Sequence, residues 1–161
     1  MALDVGSVAP DFTLVNQDRQ PVALSAQRGG PVVLAFFPAA FSSVCVKELC
    51  TFRDHLATLN QAKAGVFGIS VDTFFTLKAF QSAQGLTFPL LSDFNKEVIH
   101  QYEVVNPDMV GLKGIAKRAV FVLDGEGVIR YREVLEDARN EPDYAAVFDI
   151  LGRLGGGAAS S

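Results

Sequence analysis

Short, nearly continuous apolar runs at Val32–Phe37, Val66–Val71 and Ala119–Leu123 predict strands covered on both faces. Val128–Val134 instead alternates apolar and polar residues and follows the turn-forming tetrad Asp124-Gly125-Glu126-Gly127. That pattern predicts a strand nearer a sheet edge, paired antiparallel with the run before it. Two pieces near the start, Asp11–Leu14 and Pro21–Leu24, are joined by polar Asn16-Gln17-Asp18-Arg19-Gln20 and predict a small added hairpin. Helical patterns fill the gaps. Over Ser43–Asn60 the residues Cys45, Leu49, Phe52, Leu56 and Leu59 fall on one buried stripe. Phe74–Gln84 stops at Gly85, a residue suited to the left-handed position after a helix. Lys96–Tyr102 and Pro142–Leu154 are further candidates, with Pro142 tolerated in a first turn.

A β-α-β-α order that closes with a hairpin and a final helix implies an α/β fold, a central mixed β-sheet with helices on both faces, as in thioredoxin-like proteins. Length and composition bound the organisation. The 161 residues are 49% apolar and include thirteen Phe, enough for a single core. One domain is expected over residues 1–154, followed by a flexible Gly/Ala/Ser tail, Gly155–Ser161, with little side chain to pack. The formal charge is −4 and no more than two basic residues are ever adjacent, which argues against a nucleic-acid partner. The longest apolar stretch, Val32 to Phe41, is too short to span a bilayer, and the start of the chain lacks the basic and apolar regions of a signal peptide. The expectation is a cytoplasmic protein without a membrane partner.

Two Cys in a domain of this size are not a disulfide scaffold, so their placement carries the information. Pro38 ends a buried strand, and Ser42 or Ser43 is a suitable N-cap for the helix that follows. With Ser42 as cap, Cys45 stands in the first turn, where unpaired N–H groups and the helix dipole favour a thiolate. Cys45 begins the apolar stripe and should be recessed, whereas Cys50 points about 140° away around the helix. On an ideal helix their Cα atoms stand about 8.6 Å apart, beyond the roughly 7 Å reach of a disulfide. No bridge closes while the helix persists. His55 lies ten residues beyond Cys45, too far along a helix to serve as its base. One Cys-x-x-x-x-Cys without a second ligand pair does not make a zinc site, so no metal is expected. Phe37 and Phe41 are candidates to wall the Cys45 pocket.

The frame Pro38-x-x-x-Ser42-x-x-Cys45 resembles the active-site motif of the peroxiredoxins, Pro-x-x-x-Thr/Ser-x-x-Cys. The resemblance extends to Ala9-Pro10-Asp11-Phe12, to Phe88-Pro89-Leu90-Leu91-Ser92-Asp93 and to Arg118 opening a late strand, covering about residues 3–154. Gly114-Ile115-Ala116-Lys117-Arg118 is similar to the alkyl hydroperoxide reductase E type, which typically has one catalytic cysteine. Cys45-x-x-x-x-Cys50 is the signature of the Q, or bacterioferritin-comigratory, type.

The resemblance implies a thiol peroxidase acting on hydrogen peroxide and organic hydroperoxides, with no bound cofactor required. It makes Cys45 the peroxidatic cysteine and Cys50 the resolving cysteine of an intramolecular disulfide. Ser42 becomes the hydroxyl that binds the peroxide oxygens, Pro38 the shield of the thiol from solvent, Arg118 the cation that stabilises the thiolate and the leaving oxygen, and Glu48 the acid that orients Arg118. Thioredoxin or a similar dithiol protein is the implied reductant, and the protein is expected as a monomer or weak homodimer. Two other classes remain open: a peroxide-oxidised thiol sensor or binding module, and a thioredoxin-like disulfide carrier. The carrier lacks its usual Cys-x-x-Cys and the proline that such folds place before the late strand, where Lys117-Arg118-Ala119 stands instead.

Overall fold

A computed structural model describes residues 3–55 and 64–160. A seven-stranded mixed sheet forms its centre. The strands are β1 (Thr13–Asn16), β2 (Pro21–Ala23), β3 (Val32–Phe36), β4 (Gly65–Ser70), β5 (Leu90–Ser92), β8 (Arg118–Leu123) and β9 (Ile129–Leu135), while β6 (Val105–Asn106) and β7 (Ile115–Ala116) pair separately. The sheet order is β2-β1-β5-β4-β3-β8-β9, with β3–β4 and β4–β5 parallel and the other pairs antiparallel. Every residue of β3 and β8 is buried, which is why β3 and the Ala119–Leu123 part of β8 read as unbroken apolar runs. β9, at one edge, buries only Ile129 fully, as its alternation predicts.

Helices α1 (Ser43–Asp54), α2 (Phe74–Gln84), α3 (Glu97–Gln101) and α4 (Tyr144–Ser160) cover the two faces. On one face Leu49 and Phe52 of α1, Leu77 and Phe80 of α2, and Val147 and Leu151 of α4 pack with Val33, Ala35, Phe37, Val120 and Val122. On the other, Val98 and Ile99 of α3 join Phe12, Leu24, Phe36, Tyr102 and Phe121. Tyr102 stacks edge-on against Phe121 at 5.2 Å, and its hydroxyl donates to Pro10 O at 2.6 Å, so a buried polar tip is satisfied.

Some elements follow the sequence reading and others depart from it, each for a local reason. The expected N-terminal hairpin forms, with Thr13↔Ala23 to Val15↔Pro21 in register, and β1 joins it to the central sheet by also pairing with β5 through Val15↔Ser92 and Asn16↔Leu91. β5 itself was not expected, being only three residues long. The helix Phe74–Gln84 ends where Gly85 adopts φ 60°, the left-handed geometry a glycine accepts without strain. α4 continues past Leu154 into the glycine-rich stretch whose composition predicts a tail, since an established helix adds one backbone hydrogen bond per further residue. Of the stripe on α1, Cys45, Leu49 and Phe52 are fully buried, while the expected continuation through Leu56 and Leu59 lies outside the described residues. Asp93 accepts the N–H groups of Val98 at 3.2 Å and Ile99 at 2.8 Å, which accounts for the polar end of the Phe88–Asp93 segment as a support for α3.

Candidate active site

β3 delivers the chain through Phe37, whose N–H donates to Ile69 O at 2.9 Å, to Pro38 at the end of the sheet. The following loop is braced by Asp72. Its Oδ2 accepts Ala40 N–H at 2.8 Å and the Ser70 hydroxyl at 2.7 Å, and its carbonyl accepts the Ser92 hydroxyl at 2.6 Å. Phe41 then takes a left-handed φ of 69°, a conformation costly for a residue with a Cβ, and turns the chain into α1. Phe41 is half exposed and rests on Phe80 at 5.0 Å, so it does not wall the cysteine pocket as expected. Phe37 is fully buried in the same cluster as Cys45.

Ser42 is the N-cap, extended at φ −71° and ψ 146°, and its carbonyl accepts the first helical bond from Val46 N–H at 2.9 Å. Its hydroxyl makes no capping bond. Helix geometry leaves the N–H groups of Ser43, Val44 and Cys45 without intrahelical acceptors. Cys45 is fully buried, and both cysteines are free thiols.

Arg118, the first residue of β8, is 1% exposed and reaches Cys45 from the opposite side. Its Nη2 donates to Cys45 Sγ at 3.3 Å and its Nη1 to Glu48 Oε1 at 2.7 Å. Nε and Nη2 both donate to the Ala138 carbonyl, at 3.1 and 2.9 Å. Burial acts against the guanidinium charge, but Glu48 and Cys45 outweigh it and hold Arg118 more firmly protonated. Glu48 lies one turn beyond Cys45, fully buried, with Oε2 lacking any partner among the described residues. Desolvation raises its pKa to about 7 against the pull of Arg118, with Glu141 and Glu133 adding repulsion.

A cleft of about 540 Å³ opens beside this group. Pro38, Ser42, Ser43, Val44 and Arg118 form one wall, and loop residues around Met109 and Ala138 form the other. Pro38, Ser42, Cys45, Glu48 and Arg118 therefore converge, although they span eighty residues of sequence. Cys50 does not join them. It is half-buried on another side of α1, with Sγ 3.7 Å from Gln84 Oε1. His55 stacks on Phe148 at 4.9 Å, and His100 Nδ1 contacts Lys96 O at 2.6 Å, so neither histidine approaches the thiols.

A buried thiol at a helix N-terminus, under a guanidinium that itself lines a cleft, is an arrangement for a protected sulfur nucleophile. Residues 5–132 match the AhpC/TSA family. The chain belongs to that family. It is 43% identical over 135 residues to alkyl hydroperoxide reductase E of Mycobacterium tuberculosis, covering 82% of this chain and 86% of that one. It is 42% identical over 126 residues to a chloroplastic peroxiredoxin Q of Triticum aestivum, covering 78% of this chain and 57% of that one. The crystal structure of a peroxiredoxin-like protein from Aquifex aeolicus superposes with a TM-score of 0.87 at 27% identity, covering 96% of this chain and 89% of the other. The protein is thus a peroxiredoxin, a thiol-dependent peroxidase on a thioredoxin-like fold.

Some parts of this peroxiredoxin site left no trace in the sequence. The Ala138 acceptor is a main-chain carbonyl, which any residue could supply. The opposite wall of the cleft comes from irregular loops, and Asp72 is marked only by lying just beyond the β4 run.

Glu48 carries a prediction for stability. Between its ordinary value of 4.5 and its folded value of about 7, the folded state holds a proton that the unfolded state has lost. Its contribution therefore weakens the fold as pH rises through that window. Urea titrations at pH 4.5 and pH 7.5 are expected to show wild type losing stability with rising pH relative to Glu48→Gln. An unchanged difference between the two proteins would place the titration of Glu48 elsewhere.

Proposed function

We propose that the protein reduces hydrogen peroxide and small organic hydroperoxides through Cys45, with Cys50 as the resolving cysteine. The observation that carries this reading is the single guanidinium, Arg118, that touches both Cys45 Sγ and Glu48 while lining the cleft. The Cys45 thiolate attacks one peroxide oxygen. The S–O bond forms as the O–O bond breaks, and the departing oxygen leaves as water or alcohol after taking a proton. Arg118, the Ser42 hydroxyl and the unpaired amides of the first turn of α1 are the donors available to the charge that develops on that oxygen. Pro38 limits water at the sulfur, and Glu48 orients Arg118.

The Cys45 sulfenic acid then condenses with the Cys50 thiol, forming the disulfide and releasing water. Thioredoxin or a similar dithiol protein restores both thiols, in the manner of an atypical 2-Cys peroxiredoxin. We place the protein in the cytoplasm, as a monomer or weak homodimer. Among the described residues no helix is long and apolar enough to cross a membrane.

NADPH consumption in the presence of thioredoxin reductase, thioredoxin and hydrogen peroxide tests the cycle. Wild type is expected to turn over continuously, Cys45→Ser to be inactive, and Cys50→Ser to consume peroxide once and then stall. Sustained turnover by Cys50→Ser would remove Cys50 from the cycle. A single stoichiometric oxidation of wild type with no turnover would mark a sensor instead.

A further inference from the structure

Cys50, turned away from Cys45 by the helix they share, also contacts a second helix. Its Sγ faces the C-terminal end of α2, where Gln84 Oε1 accepts the thiol hydrogen at 3.7 Å. One turn further along α1, Arg53 Nη1 donates to the Gln84 main-chain carbonyl, so the same residue of α2 meets α1 twice. Gln84 stands on fixed backbone. It is the last residue of α2, it is followed by Gly85 at φ 60°, and Leu86 N–H returns to Gln81 O at 3.0 Å. The Gln81 side-chain amide donates to Phe88 O at 3.1 Å and ties the same helix end to the strand that follows.

We propose that Gln84 is a positioning residue for the resolving step: its amide oxygen latches the Cys50 thiol to α2, and release of that latch governs how fast the Cys45–Cys50 disulfide closes. The proposal rests on the reading of Cys50 as the resolving cysteine. It concerns a step whose atoms balance without a further reagent. The Cys50 S–H bond and the Cys45 S–OH bond break, the S–S bond forms, and the hydroxyl leaves with the thiol proton as water. An S–H that donates to Gln84 has its sulfur directed into the α1–α2 interface, so the contact must be lost before the sulfur can approach the sulfenic acid. While the latch holds, the sulfenic acid persists and a second peroxide can drive it to the sulfinic state. Gln84 therefore sets the division between resolution and over-oxidation, without touching peroxide.

Rapid mixing of reduced protein with peroxide, acid quenching and peptide mapping separates the two steps. Gln84→Leu removes the acceptor and is expected to oxidise Cys45 at the wild-type rate yet close the disulfide about threefold faster or more, with less sulfinic acid at high peroxide. Gln84→Glu keeps an acceptor and is expected to close at or below the wild-type rate. Equal or slower closure in Gln84→Leu, with the disulfide still formed, would overturn the latch and leave the resolving role of Cys50 intact. Absence of the disulfide from wild type and both variants would overturn the resolving role and the latch together.

Discussion

Replacement of Arg118 by Met is expected to slow the oxidation of Cys45 by peroxide about 10²–10³-fold, the loss typical when a donor aimed at developing negative charge is removed. The guanidinium is the cation in direct contact with the Cys45 sulfur, and burial strengthens each of its interactions. The same burial complicates the variant. Arg118→Met leaves Glu48 without its ion-pair partner in a fully buried position, a change that costs about 3–5 kcal/mol when the stranded charge persists. Part of that cost is relieved because a desolvated Glu48 can take up a proton.

The double variant Arg118→Met/Glu48→Gln separates chemistry from folding. It is expected to regain stability relative to the single variant while remaining slow towards peroxide. Quenched-flow oxidation under pseudo-first-order conditions, alongside urea titration, gives both quantities. Wild-type oxidation rates in a folded double variant would remove Arg118 from the reaction.

Oxidation is expected to unwind the start of α1. Cys45 and Cys50 lie on one continuous helix, where ideal geometry sets their Cα atoms about 8.6 Å apart. A normal disulfide needs about 7 Å or less, so the separation must shrink by at least about 1.6 Å. Leu49 and Phe52 are fully buried and anchor the later turns, which leaves the first turns to move. Beside the Cys50 contact with Gln84, two ion pairs restrain these turns in ways that helix geometry alone does not reveal. Lys47 pairs with Glu141 at 2.9 Å across a largely exposed contact, and Glu48 pairs with Arg118 at 2.7 Å in the interior. The first is weak. The second makes unwinding costly once it reaches Glu48, so the transition should depend on losing the Arg118 contact as well as on fraying. Hydrogen exchange on reduced and oxidised protein is expected to show protection lost from Val46, the first amide with a helical acceptor, to about Cys50 and retained at Phe52. Unchanged protection over Val46–Leu49, with the disulfide confirmed by mass spectrometry, would sink the unwinding account.

What could be read from the sequence follows from how each feature is encoded. Buried strands such as β3 and β8 announce themselves because both faces need apolar residues. Gly85 marks the end of α2 because the backbone there is left-handed. Pro38, Ser42 and Cys45 sit within eight residues, so a motif could carry them, and Arg118 and Glu48 followed from the resemblance rather than from any local pattern. β5 escaped because a three-residue strand leaves no period to detect. The Gln84–Cys50 contact and the Ala138 acceptor escaped because they join distant segments through one amide and one carbonyl, neither of which biases local composition. The extension of α4 escaped because glycine and alanine composition says little about a helix already nucleated upstream.

The central claim is that peroxide oxygen is transferred to Cys45 and that Cys50 then removes it. One equivalent of hydrogen peroxide added to reduced wild type, Cys45→Ser and Cys50→Ser, followed by rapid quenching and peptide mapping, tests it most directly. The predicted result is a Cys45–Cys50 disulfide in wild type, a single oxygen on Cys45 in Cys50→Ser, and unreacted peroxide with Cys45→Ser. Rapid transfer of oxygen to Cys50 in Cys45→Ser, or an unmodified Cys45 in Cys50→Ser, would contradict it.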